Sequence, residues 1–487
     1  MATGHDILGF WVHRMVILGM ELTGKNPFYN VLLHGIICDN KGKKMSKSKG
    51  NIIDPIDVIN GISIDQLKQK TKEMHRDGIL NKEEMQKAIS YQKANFSQLK
   101  GIPNCGVDAL RFTLLSHDIK SHFVNFDINI CHSNKLFGNK IWQSIKYTQF
   151  SFAKLKDIDV IITREDLTYF DRWILSRLSD MVKNVNLAMD SYDFHIATKA
   201  LRSFIYNEFC DVYLEATKPG FESENCKVKY AHAHTLSAVL NTSLRCLSPF
   251  MIYLTEELVP TIPAFENNII VNFDDDKQRY FDFPKTENYD VWKNNDLEVN
   301  VAKLLHTLYL IRELKGFYSL PTKIKPSIFI STTDENLKSE LKCNESVILK
   351  MTKCSKLLFD DKTMKDCVTA QLDKNTRVSV EVTAQVANTA KKKNFYLLSL
   401  FTTKLKLSHA TWLFYESRHG KSMADGVGGA VKRQLDKRIA YGHDVTNASK
   451  AFHVLENSMK SGKCFYINSQ DVENTNKLIL DTIKAVA

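Results

Sequence analysis

The sequence predicts a partial α/β layer at the amino end, a mainly α-helical bundle after it, and a small α/β unit towards the carboxyl end. Three observations predict this: an apolar helical run followed by an apolar strand-like run before residue 40, a series of amphipathic stripes at helical spacing from residue 171 onward, and two β-branched runs beyond residue 325. At 487 residues the chain has room for about three domains. With 44% apolar and 25% charged residues it is neither a disordered nor a collagen-like nor a low-complexity chain.

The first element expected is a mostly buried helix over residues 6–22, carried by Ile7, Phe10, Trp11, Val16 and Leu18. Residues 29–38 then read as a strand hidden on both faces, as in a parallel sheet. One helix and one strand cannot close a core, so the chain is expected to hold only part of this layer. Residues 39–51 carry five lysines and two glycines without an apolar period, which predicts a mobile loop. Residues 62–100 are polar and helical, with Asn81 capping the run that begins at Lys82, and Gly101-Ile102-Pro103 ends that region.

From Asp171 the texture is that of long amphipathic helices. One stripe is Ile174, Leu178, Met181, Val182 and Val185; a second is Ile196, Ala200, Leu201, Phe204, Ile205, Phe209 and Val212. The third, Leu236, Val239, Leu240, Ser243, Leu244 and Leu247, is bent or ended by Pro249, and a fourth helix is expected around residues 301–315. Residues 327–331 and 377–382 look like strands. From about residue 386 the pattern changes again, through Lys391-Lys392-Lys393 and a glycine-rich segment, and reads as a separate unit.

The formal net charge of +11 favours a polyanionic partner. Ten scattered cysteines, none in a C-x-x-C pair and none with a His at zinc spacing, predict no metal site and fit a reducing compartment. The most apolar stretch, residues 7–20, is interrupted by His13 and Arg14, so no membrane span is expected. The first six residues lack the basic start of a secretory signal and the Arg/Ser-rich character of an organelle presequence. The expected location is cytoplasmic, with the mitochondrial matrix as the alternative.

The lysine-rich loop carries the most specific chemistry. Lys44 and Lys47 stand three residues apart, with Met45 and Ser46 between them and Ser48 following, directly after a strand. In open α/β sheets ligands bind beyond the carboxyl ends of strands. A loop there can lay ammonium groups on the oxygens of a polyphosphate as charge builds on them. A solvated basic loop, a phosphorylation target or a nuclear-import patch is the alternative for a generic run of this kind.

Lys44-Met45-Ser46-Lys47-Ser48-Lys49-Gly50-Asn51 with Ile53-Asp54-Pro55 resembles the KMSKS signature of class I aminoacyl-tRNA synthetases. Thr3-Gly4-His5-Asp6-Ile7-Leu8, Phe10-Trp11-Val12-His13-Arg14-Met15 and Leu32-Leu33-His34-Gly35 resemble the valyl-tRNA synthetases. Gly101 to Phe112, Asn139-Lys140-Ile141-Trp142, Trp173 to Leu178 and Asp211 to Glu215 are similar to the eukaryotic type of that family. The resemblance extends over about residues 2–383.

It implies a partial Rossmann-type catalytic half at residues 1–125, stem-contact or linker helices at 126–165, an anticodon-binding helical bundle at 166–320, a small α/β appendage at 321–385 and an unrelated tail at 386–487. It also implies valine–tRNA ligase activity, with valine, ATP and tRNA(Val) as partners and Mg2+ accompanying ATP. By resemblance, Lys44 and Lys47 hold the ATP phosphates, with Met45, Ser46 and Ser48 completing the loop. Gly4 and Asp6 hold the adenylate ribose, and His34 and Gly35 line the adenine side. Trp11 helps wall the valine pocket, unless it is plain helix core. His5 and His13 are read as surface or packing residues. Arg172, Arg177 and Arg202 are candidates for tRNA phosphate contacts.

The chain departs from the family in several places. The His-x-Gly-His signature is not in the sequence, nor is the editing insertion; valine against threonine is the standard case in which a pocket poorly rejects an isostere. Ala2 stands where relatives usually carry Glu. The tail has no heptads; residues 414–433 are similar to a transposon-associated segment, and their glycines give only a weak phosphate-loop signal and read rather as a structural turn. The expectation is therefore a carboxy-terminal fragment that is inactive alone; a non-catalytic tRNA-binding module or a chimeric gene product is the alternative.

Overall fold

The computed structural model describes residues 1–155, 160–263, 265, 268–270, 282–317, 320, 324–359 and 367–382. The chain divides into two units, Met1–Ala387 and Asn388–Ala487, and every described residue lies in the first. The tail expected from residue 386 lies outside the described residues.

The amino end forms two small parallel ladders. Strand β1 (Ala2–Gly4) pairs with β2 (Leu32–His34), and β3 (Ile36–Cys38) pairs with the later β6 (Phe123–Asn125). The single strand expected over residues 29–38 is thus two short strands. They break at Gly35, where the chain passes so close to residues 121–122 that an added Cβ would sit 2.1 Å from the Ser121 carbonyl oxygen. The strand is also not hidden on both faces. Of residues 29–38 only Gly35 and Cys38 are buried, and Tyr29 is fully in solvent. Burial on two faces needs helices on both sides of the sheet, and the described residues supply no such cover.

The same reason corrects the helix. A π turn, Leu8–Val12, leads into α1 (His13–Thr23), which ends at Gly24 with φ +67° and its N–H donating to the Met20 carbonyl. The helix exists, but only Val12 is buried; Phe10, Trp11, Leu18 and Leu22 are 53–79% exposed. Its apolar period marks a face suited to burial, and here that face meets water.

Beyond the lysine loop, α2 (Pro55–Asn60) starts with proline at its first position and Asp54 as cap. Strands β4 (Ile62–Ser63) and β5 (Gly101–Ile102) pair antiparallel and bracket α3 (Ile64–Arg76) and α4 (Lys82–Phe96). Asn81 caps α4 as expected and does so in a reciprocal box with Glu84; Ser63 and Gln66 do the same for α3. A small core of Val58, Leu67, Phe96, Ile102, Ala109 and Phe126 lies between these helices and α5 (Val107–Leu115), with Met45 of the lysine loop packed against it. The 25-residue α6 (Ile128–Phe152) then leads from the layer to the bundle.

The bundle consists of α7 (Tyr169–Asp190), α8 (Phe194–Arg202) continued by a π stretch Ser203–Tyr213 into α9 (Leu214–Glu222), α10 (Cys226–Leu247), and the helix Asn295–Phe317. The first and third stripes are buried throughout, whereas Ile196 of the second is exposed and Ala200 half-buried. Helix α10 ends two residues before Pro249. The expected strands near 327 and 377 are β7 (Ile328–Thr332) and β10 (Thr376–Glu381), antiparallel neighbours in a four-stranded sheet with β8 (Leu357–Leu358) and β9 (Cys367–Gln371).

Asp171 ties the bundle together. It is fully buried and accepts from the Thr168 N–H at 2.9 Å, the Thr168 hydroxyl at 2.7 Å, His232 Nδ1 at 2.8 Å and the Tyr213 hydroxyl. Burial alone would raise its pKa, but the attraction of His232 and these hydrogen bonds hold it below the usual carboxylate value. Its stabilisation is therefore present above its unfolded pKa of about 4 and is lost as pH falls through its lower folded value. Asp171→Ala should cost about 3 kcal/mol in urea unfolding at pH 7, because buried donors lose their acceptor. A cost below about 0.5 kcal/mol, the range of an ordinary surface change, would contradict this role.

Candidate functional site

Two groups of residues lie at the carboxyl ends of the amino-terminal strands, the side on which open α/β sheets take ligands. The first is Gly4, Asp6 and His34. Gly4 is in register with His34 across β1 and β2, and Asp6 follows on a turn. A Cβ at Gly4 would lie 2.8 Å from Asp6 Oδ1 and 3.8 Å from His34 Cε1, so the glycine leaves a concave space between them. His34 Nδ1 is 3.1 Å from the Gly35 carbonyl and donates to it in the tautomer that carries the proton there. His5 packs edge-on against His122, and His13 is exposed.

The second group is the lysine loop, which begins where β3 ends. Asp39, 1% exposed, accepts the N–H groups of Lys41 at 3.0 Å and Lys43 at 2.9 Å through Oδ1, and the Asn51 amide at 2.9 Å through Oδ2. Asn51, equally buried, accepts the Ser46 N–H at 3.0 Å and donates to the carbonyls of Lys43 and Lys44 at 3.4 Å. Lys44 also bridges back to Cys38, and Lys47–Lys49 form a 3-10 turn closed by Gly50. Gly50 has φ +67° and approaches α4 so closely that a Cβ would fall 2.4 Å from the Ala88 nitrogen.

The loop expected to be mobile is thus held at both ends by two buried polar side chains. Burial pushes the Asp39 pKa up, but the hydrogen bonds from Asn51, Lys43 and Lys41 outweigh it and keep the carboxyl below its usual range.

This scaffold leaves Lys41, Lys43, Lys44, Lys47 and Lys49 exposed. Lys41, Lys43, Lys49 and Lys87 border a cleft of about 500 Å³ with Ser48 and Tyr91. Burial, with Asp39 and Asp127 nearby, pushes the Tyr91 phenol up to about 12. Lys47 lines a separate, largely apolar cleft of about 290 Å³ together with Asp54, Asp57 and Lys70. Lysines and serines are donors for phosphate oxygens, not ligands for a divalent cation, and among the described residues no group of three His, Cys, Asp or Glu side chains could hold a metal ion. Trp11 is 53% exposed beside Phe10 on the π turn.

The three bundle arginines differ. Arg172 is exposed. Arg177 is paired with Glu208 at 2.9 Å, Glu298 at 2.8 Å and Asp180 at 3.0 Å, so its charge is already balanced inside the bundle. Arg202 donates to Ser133 Oγ at 3.0 Å and to Asn134. Sequence reasoning passed over Asp39, Asn51, Lys87 and Tyr91. Asp39-Asn40-Lys41-Gly42, an Asx-type turn signature directly after a strand, is the signal that could have found the first.

Residues 1–127 match the family model described as tRNA synthetases class I (I, L, M and V), and residues 171–330 match the anticodon-binding domain of tRNA ligase. Within these two segments the chain is therefore of class I tRNA synthetase type. Within that class it is 37% identical over 341 residues to a valine–tRNA ligase of Caenorhabditis elegans and 37% identical over 340 residues to one of Homo sapiens, in each case over 69% of this chain. It is 35% identical over 323 residues, 65% of the chain, to the mitochondrial valine–tRNA ligase 1 of Arabidopsis thaliana. The chain spans 31%, 26% and 28% of the length of these relatives. Residues 362–487 match a domain of unknown function, DUF8701, which is not a known synthetase domain.

Removing either anchor should free the loop. In Asp39→Ala or Asn51→Ala, amides of residues 41–49 are expected to exchange with deuterium at least about tenfold faster while α7 and α10 keep their protection. Unchanged exchange in both variants would show that the loop is held some other way. Gly50→Ala should destabilise the chain by more than about 1 kcal/mol in denaturant unfolding, since both its φ and the space are wrong for a side chain.

Proposed function

We propose that this chain supplies the phosphate-handling half of the catalytic unit and the anticodon-reading bundle of a valine–tRNA ligase, the enzyme that joins valine to tRNA(Val) through valyl-adenylate. The observation that carries the reading is the anchored KMSKS loop at the carboxyl end of β3, in a chain whose relatives are valine–tRNA ligases. ATP is the substrate. Valine's carboxylate oxygen attacks the α-phosphorus, the bond to the bridging oxygen breaks, and pyrophosphate leaves with the electron pair. Lys44 and Lys47 neutralise the charge that builds on the departing oxygens, and the fixed backbone of Met45, Ser46 and Ser48 keeps them aimed without reorganisation. Gly4 and Asp6 hold the ribose, a carboxylate being suited to sugar hydroxyls, while His34 and Gly35 border the adenine. Trp11 belongs to the valine side. Mg2+ accompanies the nucleotide's phosphates.

In the bundle, Arg172 is free to reach tRNA phosphate and Arg177 serves the helices themselves. Cysteines scattered along the chain without paired spacing fit a reducing location, which we read as the cytoplasm. A non-catalytic tRNA-binding module is the second reading, favoured by the uncovered apolar residues of the helix that would carry the amino-acid pocket.

Filter binding and pyrophosphate exchange separate the two. The chain should bind tRNA(Val) transcript with an affinity that falls steeply with salt. By itself it should give no valine-dependent exchange, because it carries no His-x-Gly-His signature. Exchange that is abolished by Lys47→Ala would overturn the second expectation and make the chain an enzyme in its own right. A chain that binds no transcript at low salt would overturn the first.

A further inference from the structure

Between α5, α6 and α8 lies a cleft of about 580 Å³ lined by Phe112, Ser133, Asn134, His195, Lys199 and Arg202 among others, with no Asp or Glu side chain on its walls. Residues 195, 199 and 202 follow one another at helical spacing and so share a face of α8. Arg202 is half-buried, lies over the Phe137 ring at 5.4 Å, and among the described residues donates to the neutral Ser133 and Asn134. Asn134 in turn is fixed by donating to Thr113 Oγ1 at 2.8 Å. His195 Nδ1 is buried without a hydrogen-bond partner among the described residues. Lys199 is exposed at the rim.

The contrast with Arg177 decides what this means. Both guanidiniums are partly withdrawn from water, but among the described residues Arg177 pairs with three carboxylates and Arg202 with none. Burial pushes the Arg202 pKa below the ordinary arginine value, so its charge is held at a cost that no described carboxylate offsets. A pre-aimed, planar cation with a second cation beside it, in an open cleft without acidic walls, matches a tetrahedral oxyanion.

We propose that this cleft binds a phosphate group of an RNA backbone. The fork of Arg202 and the ammonium of Lys199 take its non-bridging oxygens, and the orphaned ring nitrogen of His195 lies within the site as a further polar partner. The cleft stands where the segment matched to class I synthetases (Phe112, Ser116) meets the segment matched to the anticodon-binding domain (His195 to Arg202), so a backbone seated there would touch both. The inference rests on the reading that the bundle binds tRNA, and it adds a contact that positions RNA without reading its bases.

The test uses the whole chain with tRNA(Val) transcript, a non-cognate transcript and inorganic phosphate as separate probes. Lys199→Gln, at an exposed position, should leave the thermal midpoint unchanged, weaken both transcripts several-fold, and reduce the slope of log affinity against log salt by about one. Arg202→Gln should weaken both transcripts further, and Arg202→Lys should restore part of the loss. Equal binding by wild type, Lys199→Gln and Arg202→Gln would overturn the inference while leaving the ligase reading intact. Loss of both transcripts without any preference for tRNA(Val) in the wild type would sustain the inference and count against the ligase reading. Should inorganic phosphate bind in the cleft at millimolar concentration while the variants hold RNA like wild type, the site is one for free phosphate and the RNA assignment fails.

Discussion

One buried carboxylate organises the candidate site. Asp39 ends β3, turns the chain through the N–H groups of Lys41 and Lys43, and reaches across to Asn51, which then holds the backbone of residues 43–46. Without that pair the lysines would be five like charges on a segment with Met45 as its single large apolar anchor, and their mutual repulsion would spread them. With it, the backbone conformation is set in advance, and charge–charge repulsion is confined to side-chain tips that can bend apart in water. Gly50 extends the same constraint to α4, because the loop ends in direct backbone contact with Ala88.

A second set of contacts aligns this layer with the bundle. Asp108 of α5 accepts the N–H groups of Tyr253 and Leu254, Arg111 donates to the Pro249 carbonyl at 3.0 Å, and Lys120 pairs with Asp193 at 2.7 Å. These join the segment carrying the lysine loop to the segment matched to the anticodon-binding domain.

The helices of the bundle were legible because an apolar stripe at 3.6-residue spacing states both the element and its inward face. The caps at Ser63 and Asn81 are local and equally readable. The lysine motif was legible as an exposed basic loop after a strand, but its rigidity was not, because Asp39 and Asn51 lie 12 residues apart and look like ordinary loop polars. Arg177 and Arg202 show the same limit: each is a basic residue on an amphipathic helix, and what separates them is Glu298, 121 residues from one, and Ser133, 69 residues from the other. Periodicity also reports which face of a helix is apolar and says nothing about whether a neighbour exists to cover it. Hence the helix following β1 was placed correctly and its burial was not.

That helix governs how the protein behaves as a solute. Phe10, Trp11, Leu18 and Leu22 together offer water a greasy ridge next to a two-stranded sheet edge. Detergent, salting-out agents and concentration should all act first there, so handling conditions rather than intrinsic fold strength will decide whether preparations stay monodisperse.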